Sequence, residues 1–276
     1  MKTALLQLNV SDDPVANLKV TLAYLRQAAA GGAEFVLTPE VTNCVSTSGA
    51  HQREVLQYED QDITLAALRT EASRLGVWLL IGSLALKTDD ADGRFANRSF
   101  LIGADGEIKA RYDKIHMFDV QVTPEETYRE SAGYRPGNTA VVVETPFAPL
   151  GMTVCYDVRF PALHAALARA GARILTVPAA FSPVTGAAHW HCLLRARAIE
   201  TGCFVLAPAQ TGVHESAAYK TRGTYGHSLV VSPWGEVLLD AGETPGVYTT
   251  NLDMEQVAVA RRKIPSMANV RPFDGP

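Results

Sequence analysis

A short apolar run that ends at a cysteine and leads quickly into a helix start constrains this chain more than any other feature. The run is Gly151-Met-Thr-Val-Cys155, and Pro161 begins the helix-like stretch. This order predicts a corner between a strand and a helix, where the thiol of Cys155 stands clear of both elements. The amide N–H of Tyr156 would then face the same cleft as an oxyanion donor. A buried cysteine acting as a small hydrophobic residue is the alternative.

Strand-like and helix-like stretches alternate along the chain. Runs typical of strands occupy residues 3–9, 35–37, 77–84, 96–103, 107–113, 140–143, 151–154, 174–177, 204–206, 228–232, 236–239 and 247–252. Helical patterns occupy residues 14–30, 63–75, 162–170 and 189–200. Hairpin turns at Asp105-Gly106 and Pro233-Trp-Gly235 add antiparallel strands. We therefore expect an α/β fold of one domain, residues 1–276, with helices covering both outer faces of a two-sheet core.

Composition and charge argue against several classes of protein. The formal charge of −4 over 276 residues does not suit binding to nucleic acid or to an anionic membrane surface. The first ten residues form neither a signal peptide nor a membrane span, so we expect a cytoplasmic protein. The 4 cysteines do not make a disulfide framework, and no Cys-x-x-Cys pair indicates zinc.

A nucleophilic thiol needs a base, because the thiolate is the reactive form and free cysteine has a pKa of about 8.5. Several histidines could form a cysteine–histidine pair, and the sequence leaves them open: His164, His189, His191, His214 and His227. Glu40 and Lys114 are further candidates because each directly follows an apolar run. Either charge alone is more often solvated or paired. Residues 115–137 lose periodicity and are predicted to form a long ordered loop.

Three segments, in this order, resemble the signature segments of the nitrilase superfamily of carbon–nitrogen hydrolases: Phe35–Glu40, Tyr112–His116 and Gly151–Pro161. The resemblance implies a four-layer α-β-β-α sandwich with two mixed sheets. It also implies that Glu40 is the general base, Lys114 the oxyanion stabiliser and Cys155 the nucleophile. Glu130 is implied to be a second glutamate that positions the substrate and Lys114.

Further segments resemble the amidase branch that includes ω-amidase and deaminated glutathione amidase: Pro178–Trp190, Arg195–Glu200, Ala209–His214, Gly226–Ser228 and Pro233–Gly235. True nitrilases usually carry Trp-Glu after the cysteine, where this chain has Tyr156-Asp157, so a nitrile substrate is disfavoured. The resemblance implies a cofactor-free amidase that hydrolyses a small carboxylate-bearing amide through an acyl-thioester, with deaminated glutathione as the expected substrate.

Other functions remain open within this resemblance. An ω-amidase acting on α-keto acid amides and an N-carbamoyl amidohydrolase are the alternatives among enzymes. A thiol-sensing or binding protein on the same fold is the alternative that is not an enzyme. The family also implies a homodimer or a larger homo-oligomer, and the charge predicts no nucleic acid or membrane partner.

Four residues are candidates for binding the substrate: Tyr156, Arg159, Phe181 and Thr185. A guanidinium at Arg159 could hold a substrate carboxylate, or it could pair with Asp157 or a neighbouring carboxylate and brace the turn. His189 and His191 point to nearly opposite sides of a helix, so they cannot chelate a metal together. We therefore expect no metal site. In related amidases the position of His191 is often glutamate, which leaves its role open.

Overall fold

Two six-stranded mixed sheets lie face to face at the centre of the protein in its computed structural model, which describes residues 1–124, 126–216 and 219–275. The first sheet has the order β16 (Gly246–Asn251), β1 (Lys2–Gln7), β2 (Phe35–Leu37), β3 (Trp78–Leu86), β4 (Ala96–Ile102) and β5 (Ile108–Asp113). The second has the order β15 (Val237–Asp240), β14 (Leu229–Val231), β11 (Phe204–Ala207), β10 (Ile174–Thr176), β9 (Leu150–Met152) and β8 (Val141–Val143).

Helices cover the outer face of each sheet. The described helices are α1 (Pro14–Ala30), α2 (Gly49–Val55), α3 (Ile63–Leu75), α4 (Pro161–Arg169), α5 (Pro183–Thr201) and α6 (Glu255–Lys263). Helices α1 and α3 pack on the first sheet, and α4 and α5 pack on the second. None of the helices among the described residues has both the length and the apolar character needed to cross a membrane.

Alternation along the strands explains the layers. Leu5, Leu37 and Leu80 belong to the core shared with the second sheet, whereas their neighbours Leu6 and Val36 pack with α1 and α3. Successive side chains of a strand point to opposite faces, so strands that are apolar on both faces are buried on both. The predicted four-layer α-β-β-α sandwich is confirmed.

The structure differs from the sequence-based expectation in several short regions, one of which is helix α2 (Gly49–Val55), for which no helix was predicted. Residues 115–137, predicted as a loop, contain the hairpin β6 (Asp119–Gln121) and β7 (Thr127–Arg129). A second hairpin, β12 (Thr211–His214) and β13 (Arg222–Tyr225), was not predicted either. Helix α5 begins at Pro183, six residues before the predicted start. Strands of three or four residues are too short for a periodicity to show, and proline at the first helical position is favourable because its φ is already helical.

Candidate active site

Cys155 lies at a tight corner after β9, as the first residue of a short 3₁₀ helix, Cys155–Arg159, that leads into α4. Its backbone is left-handed, with φ of +49°. For a residue with a Cβ this conformation costs about 1–2 kcal/mol, and such strain is found where a side chain must be presented in one direction. The Cys155 N–H donates to the carbonyl of Pro178 at 2.9 Å, which holds the corner against the second sheet's neighbouring loop.

The buried carboxylate of Asp157 braces this corner from inside. It accepts hydrogen bonds from the Val154 N–H at 2.8 Å and the Tyr112 hydroxyl at 2.7 Å. It also accepts from the backbone N–H of His116 at 3.1 Å and lies 2.7 Å from that residue's Nδ1. The turn that carries Cys155 is thereby tied to the chain leaving β5. The suggested pairing of Arg159 with Asp157 is wrong, because these other groups occupy the carboxylate.

Lys114 joins two glutamates in the same buried site. Its Nζ lies 2.8 Å from Oε1 of Glu40, and 2.9 Å and 2.8 Å from the two carboxylate oxygens of Glu130. Glu40 follows β2, Lys114 follows β5, and Glu130 begins a 3₁₀ turn after β7. The carboxyl ends of the strands therefore deliver these charges to one edge of the sandwich, where α/β proteins build their sites.

Backbone and amide groups fix both glutamates. Glu40 Oε2 accepts from the Ala180 N–H at 2.8 Å, and Glu130 Oε2 accepts from the Phe118 N–H at 2.6 Å. The Asn97 side-chain amide donates to Glu40 Oε1 at 2.9 Å and to Glu130 Oε1 at 3.3 Å. These groups hold the three charged side chains in one arrangement.

A glycine permits the close approach beneath Glu40. A Cβ at Gly82, on β3, would lie 2.0 Å from the carbonyl oxygen of Thr38 and 2.6 Å from Cβ of Pro178. Any larger residue would push apart the two loops that carry Glu40 and the acceptor of the Cys155 N–H.

The charges shift the pKa values of the groups around Cys155. Burial raises the pKa of the Cys155 thiol, the Glu40 charge raises it further, and the Lys114 charge only partly offsets them. Burial also acts to raise the pKa of Glu40, but the charge and hydrogen bond of Lys114 outweigh it and bring the pKa below its usual value. Burial favours the neutral amine of Lys114, yet Glu130 and Glu40 raise its pKa well above the ordinary value. The resting site therefore holds a thiol, a carboxylate and an ammonium.

A cavity of about 790 Å³ opens over Cys155. Its wall includes Glu40, Lys114 and Glu130, together with Tyr156, Phe181 and Thr185 from the set of predicted binding residues. Arg159 is absent from the wall. Its guanidinium carbon lies 5.9 Å from the ring centre of Tyr156 and 5.4 Å from that of Phe181, and its Nη2 lies 3.3 Å from Nδ1 of His189.

None of the five candidate histidines is among the described residues that line the cavity. His164 and His214 are buried elsewhere, where burial lowers the pKa of each to about 4. His191 and His227 both face Asp240. The candidate base near the Cys155 thiol is therefore Glu40, and the structure does not bring a cysteine–histidine pair together.

Two residues of the site were missed by sequence reasoning, Asn97 and Arg222. Arg222 lies on β13 and in the cavity wall, its Nη2 donates to the Ala180 carbonyl at 2.7 Å, and its guanidinium lies 5.5 Å from the ring centre of Tyr128. Its Nε is buried without a hydrogen-bond partner in the described chain. Asn97 lies in a predicted strand and Arg222 in a strand that was not predicted, but neither belongs to a motif that indicates chemistry, so nothing in the sequence marked it as a site residue.

A sequence profile described as carbon–nitrogen hydrolase matches residues 2–262. A Yersinia enterocolitica protein named deaminated glutathione amidase is 38% identical over 269 residues, which is 97% of this chain and 92% of that protein. The Caenorhabditis elegans NitFhit protein superposes with a TM-score of 0.89 at 32% identity, over 98% of this chain and 65% of that longer one. An amidase from Nesterenkonia sp. AN1, whose structure shows acrylamide added at its active-site cysteine, superposes with a TM-score of 0.77 at 26% identity, over 96% of this chain and 98% of that one.

Proposed function

Because this chain belongs to the carbon–nitrogen hydrolase family, within the nitrilase superfamily, and is an amide-hydrolysing enzyme, we propose that Cys155 is its nucleophile and a small carboxylate-bearing amide its substrate. The observation that carries the proposal is that Cys155, Glu40 and Lys114 line one cavity, with the Glu40 charge near enough to raise the pKa of the Cys155 thiol. A thiol of raised pKa stays protonated at rest. The ionised carboxylate nearby can accept its proton as the carbon–sulfur bond forms, which makes the sulfur nucleophilic.

In the first half of the proposed reaction, Glu40 accepts the thiol proton while Sγ of Cys155 bonds to the amide carbonyl carbon. The carbonyl oxygen becomes an oxyanion, which the Lys114 ammonium and the Tyr156 N–H stabilise. One such donor is worth about 10²–10³ in rate. The tetrahedral intermediate then expels the amine as the carbon–nitrogen bond breaks, and Glu40 returns its proton to the leaving nitrogen.

In the second half, water hydrolyses the acyl-thioester on Cys155. Glu40 removes a proton from the water as the water oxygen bonds to the acyl carbon. The carbon–sulfur bond then breaks. The sulfur recovers its proton from Glu40, which restores the resting thiol and carboxylate. General-base assistance of this kind contributes about 10²–10⁴ in rate at each step.

Glu130 and Asn97 act in this proposal by holding other groups in place. The carboxylates of Glu40 and Glu130 both lie within hydrogen-bond distance of Nζ of Lys114. They keep its ammonium charged and fix its position. The Asn97 amide holds both carboxylates at once. Positioning of this kind matters because a donor must meet the oxyanion as it forms.

Arg222 is our candidate for binding the substrate's carboxylate. Its buried Nε lacks a partner in the described chain, and its guanidinium belongs to the cavity wall. A cavity of about 790 Å³ also admits a substrate larger than a single keto acid amide. Together with the relatives named deaminated glutathione amidase, these features support deaminated glutathione as the substrate.

The decisive experiment supplies purified enzyme with deaminated glutathione and measures released α-ketoglutarate and Cys-Gly, while a parallel reaction with α-ketoglutaramate measures ammonia. Intact-mass analysis during turnover should show an acyl adduct that the C155A variant lacks. Preferential turnover of α-ketoglutaramate would instead indicate an ω-amidase. If the enzyme hydrolyses neither substrate and no amide in a broad panel, the proposal is overturned and the thiol-sensing alternative is favoured.

A further inference from the structure

A second cluster of reactive side chains lies outside the cavity, on the face formed by α5, the segment between β13 and β14, and the end of β15. His191 Nε2 lies 2.9 Å from Asp240 Oδ2, and His227 Nδ1 lies 2.8 Å from Asp240 Oδ1. One ligand atom from each residue falls within 4.8 Å of those of the other two. None of the three residues belongs to the cavity wall or takes part in the proposed reaction.

From this arrangement we propose that His191, His227 and Asp240 bind a divalent transition metal ion, with Zn²⁺ as the best-suited ion. Two imidazole nitrogens and one carboxylate are a ligand set that zinc accepts, with water completing the coordination. Zinc bonds of about 2.0–2.1 Å place tetrahedral ligand atoms about 3.4 Å apart. The three ligand atoms, which lie within 4.8 Å of one another, would have to move closer together to bind the ion.

The surroundings hold the ligands in position. The Tyr225 ring stacks on the His227 ring, with centroids 4.5 Å apart and planes 22° apart. The Gly242 N–H donates to Asp240 Oδ1 at 2.9 Å, and the His227 N–H donates to the Gly242 carbonyl at 2.7 Å. Supporting contacts of this kind orient ligands before a metal arrives.

Solvent can reach the cluster. The side chains of His191, His227 and Asp240 are 37%, 21% and 34% exposed. A metal ion therefore has an entry path, and the open side leaves room for water ligands. A hydrogen-bonded cluster without metal is the other possible use of the same three side chains, and the experiment below separates the two.

A bound ion would connect the cluster to the cavity through packing. Helix α5 begins at Pro183 in the cavity wall, and β13 begins there at Arg222. The two elements meet where Gly186 packs against Tyr225, since a Cβ at Gly186 would lie 2.3 Å from Cγ of that ring. The ion would join α5 to the segment just after β13 and would hold these two walls together.

The test measures Zn²⁺ binding by calorimetry in a C155A/C192S double variant, because an active-site thiol or the exposed Cys192 thiol could bind zinc independently. We expect one Zn²⁺ per chain and a rise in Tm with added zinc. Co²⁺ in place of Zn²⁺ should give visible absorption without a thiolate charge-transfer band, because the proposed ligands contain no sulfur.

Adding H191N, H227N or D240N to that background should weaken binding by about tenfold or more, since even supporting residues of a metal site cost that much. H189Q, on the same helix but outside the cluster, is the matched control and should leave the affinity unchanged. Asparagine suits position 227 because the φ of His227 is +53° and asparagine tolerates left-handed backbone.

Equal zinc binding in the parent and the cluster variants would overturn the proposal, and so would an absence of binding in the parent. If H227N fails to fold, the zinc affinity of H191N is the deciding measurement. The His191 side chain lies on a partly exposed helix face, so we expect this variant to fold. Failure of this test leaves the amidase proposal untouched, since it uses no residue of the cluster.

Discussion

Nζ of Lys114 lies 2.8 Å from Oε1 of Glu40, in a pair whose lysine side chain is only 2% exposed. Burying an ion pair costs solvation free energy that the attraction between the charges only partly returns. Glu130 adds a second carboxylate to the same ammonium. In the proposed reaction this arrangement keeps Glu40 ionised as the base and Lys114 charged for the oxyanion.

Replacing Glu40 by glutamine should lower kcat/KM by about 10²–10⁴, because glutamine keeps the shape but cannot accept the thiol proton. The rate can be measured on protein whose circular dichroism matches that of the wild type. An unchanged kcat/KM in E40Q would show that another group activates the thiol.

Replacing Lys114 by methionine should lower the free energy of unfolding by about 3–5 kcal/mol and abolish activity, because two buried carboxylates lose their counter-charge. Urea unfolding measures the loss of stability. K109M is the matched control, since Lys109 pairs with Asp105 at the surface and its removal should change little. Equal effects of the two substitutions would contradict the description of Lys114 as the centre of a buried charge cluster.

The pH profile of kcat/KM should show an acid limb with an apparent pKa below 4.5, the usual value for glutamate, because Lys114 lowers the pKa of Glu40. Since the folded pKa is below the unfolded one, Glu40 stabilises the protein above its unfolded pKa. That stabilisation is lost as pH falls through the folded pKa. No rise near pH 8.5 is expected, because the pKa of the Cys155 thiol is raised. A limb near pH 6.5 would instead indicate a histidine base.

The brace at Asp157 can be loosened in two steps. Y112F removes one hydrogen bond to this carboxylate and should cost about 1.5–3 kcal/mol of stability. D157N should cost more, because it weakens all of the bonds that fix the Cys155 corner, and it should slow acylation. Measurement of stability and of the acylation rate for both variants checks the order. A more severe effect of Y112F would contradict it.

The anchor for the substrate carboxylate can be identified by comparing R222M with R159M. Loss of a charged hydrogen bond costs about 1.5–3 kcal/mol, so R222M should lower kcat/KM for a carboxylate-bearing amide by roughly 10- to 150-fold. The same substitution should affect an uncharged amide much less. R159M should have a small effect on both, because Arg159 lies outside the cavity wall. A reversed pattern would make Arg159 the anchor.

Much of the fold follows from local patterns in the sequence. The apolar run before Cys155, the helix start at Pro161 and the strand before Glu40 are encoded by neighbouring residues, because strand and helix periods are local properties. The short hairpin strands β12 and β13 were not predicted, because three or four residues are too few to show the two-residue alternation of a strand. Arg222, on β13, was missed for the same reason.

The sequence by itself determined which residues could do chemistry: a cysteine at a corner, a glutamate and a lysine at strand ends, and a histidine pair on one helix that cannot share a metal. Only the tertiary structure decided which of them meet. Asn97 reaches Glu40 across 57 residues, and His191 reaches Asp240 across 49. The physical reason is that contacts between distant residues depend on how the two sheets and their covering helices pack, which no local pattern encodes.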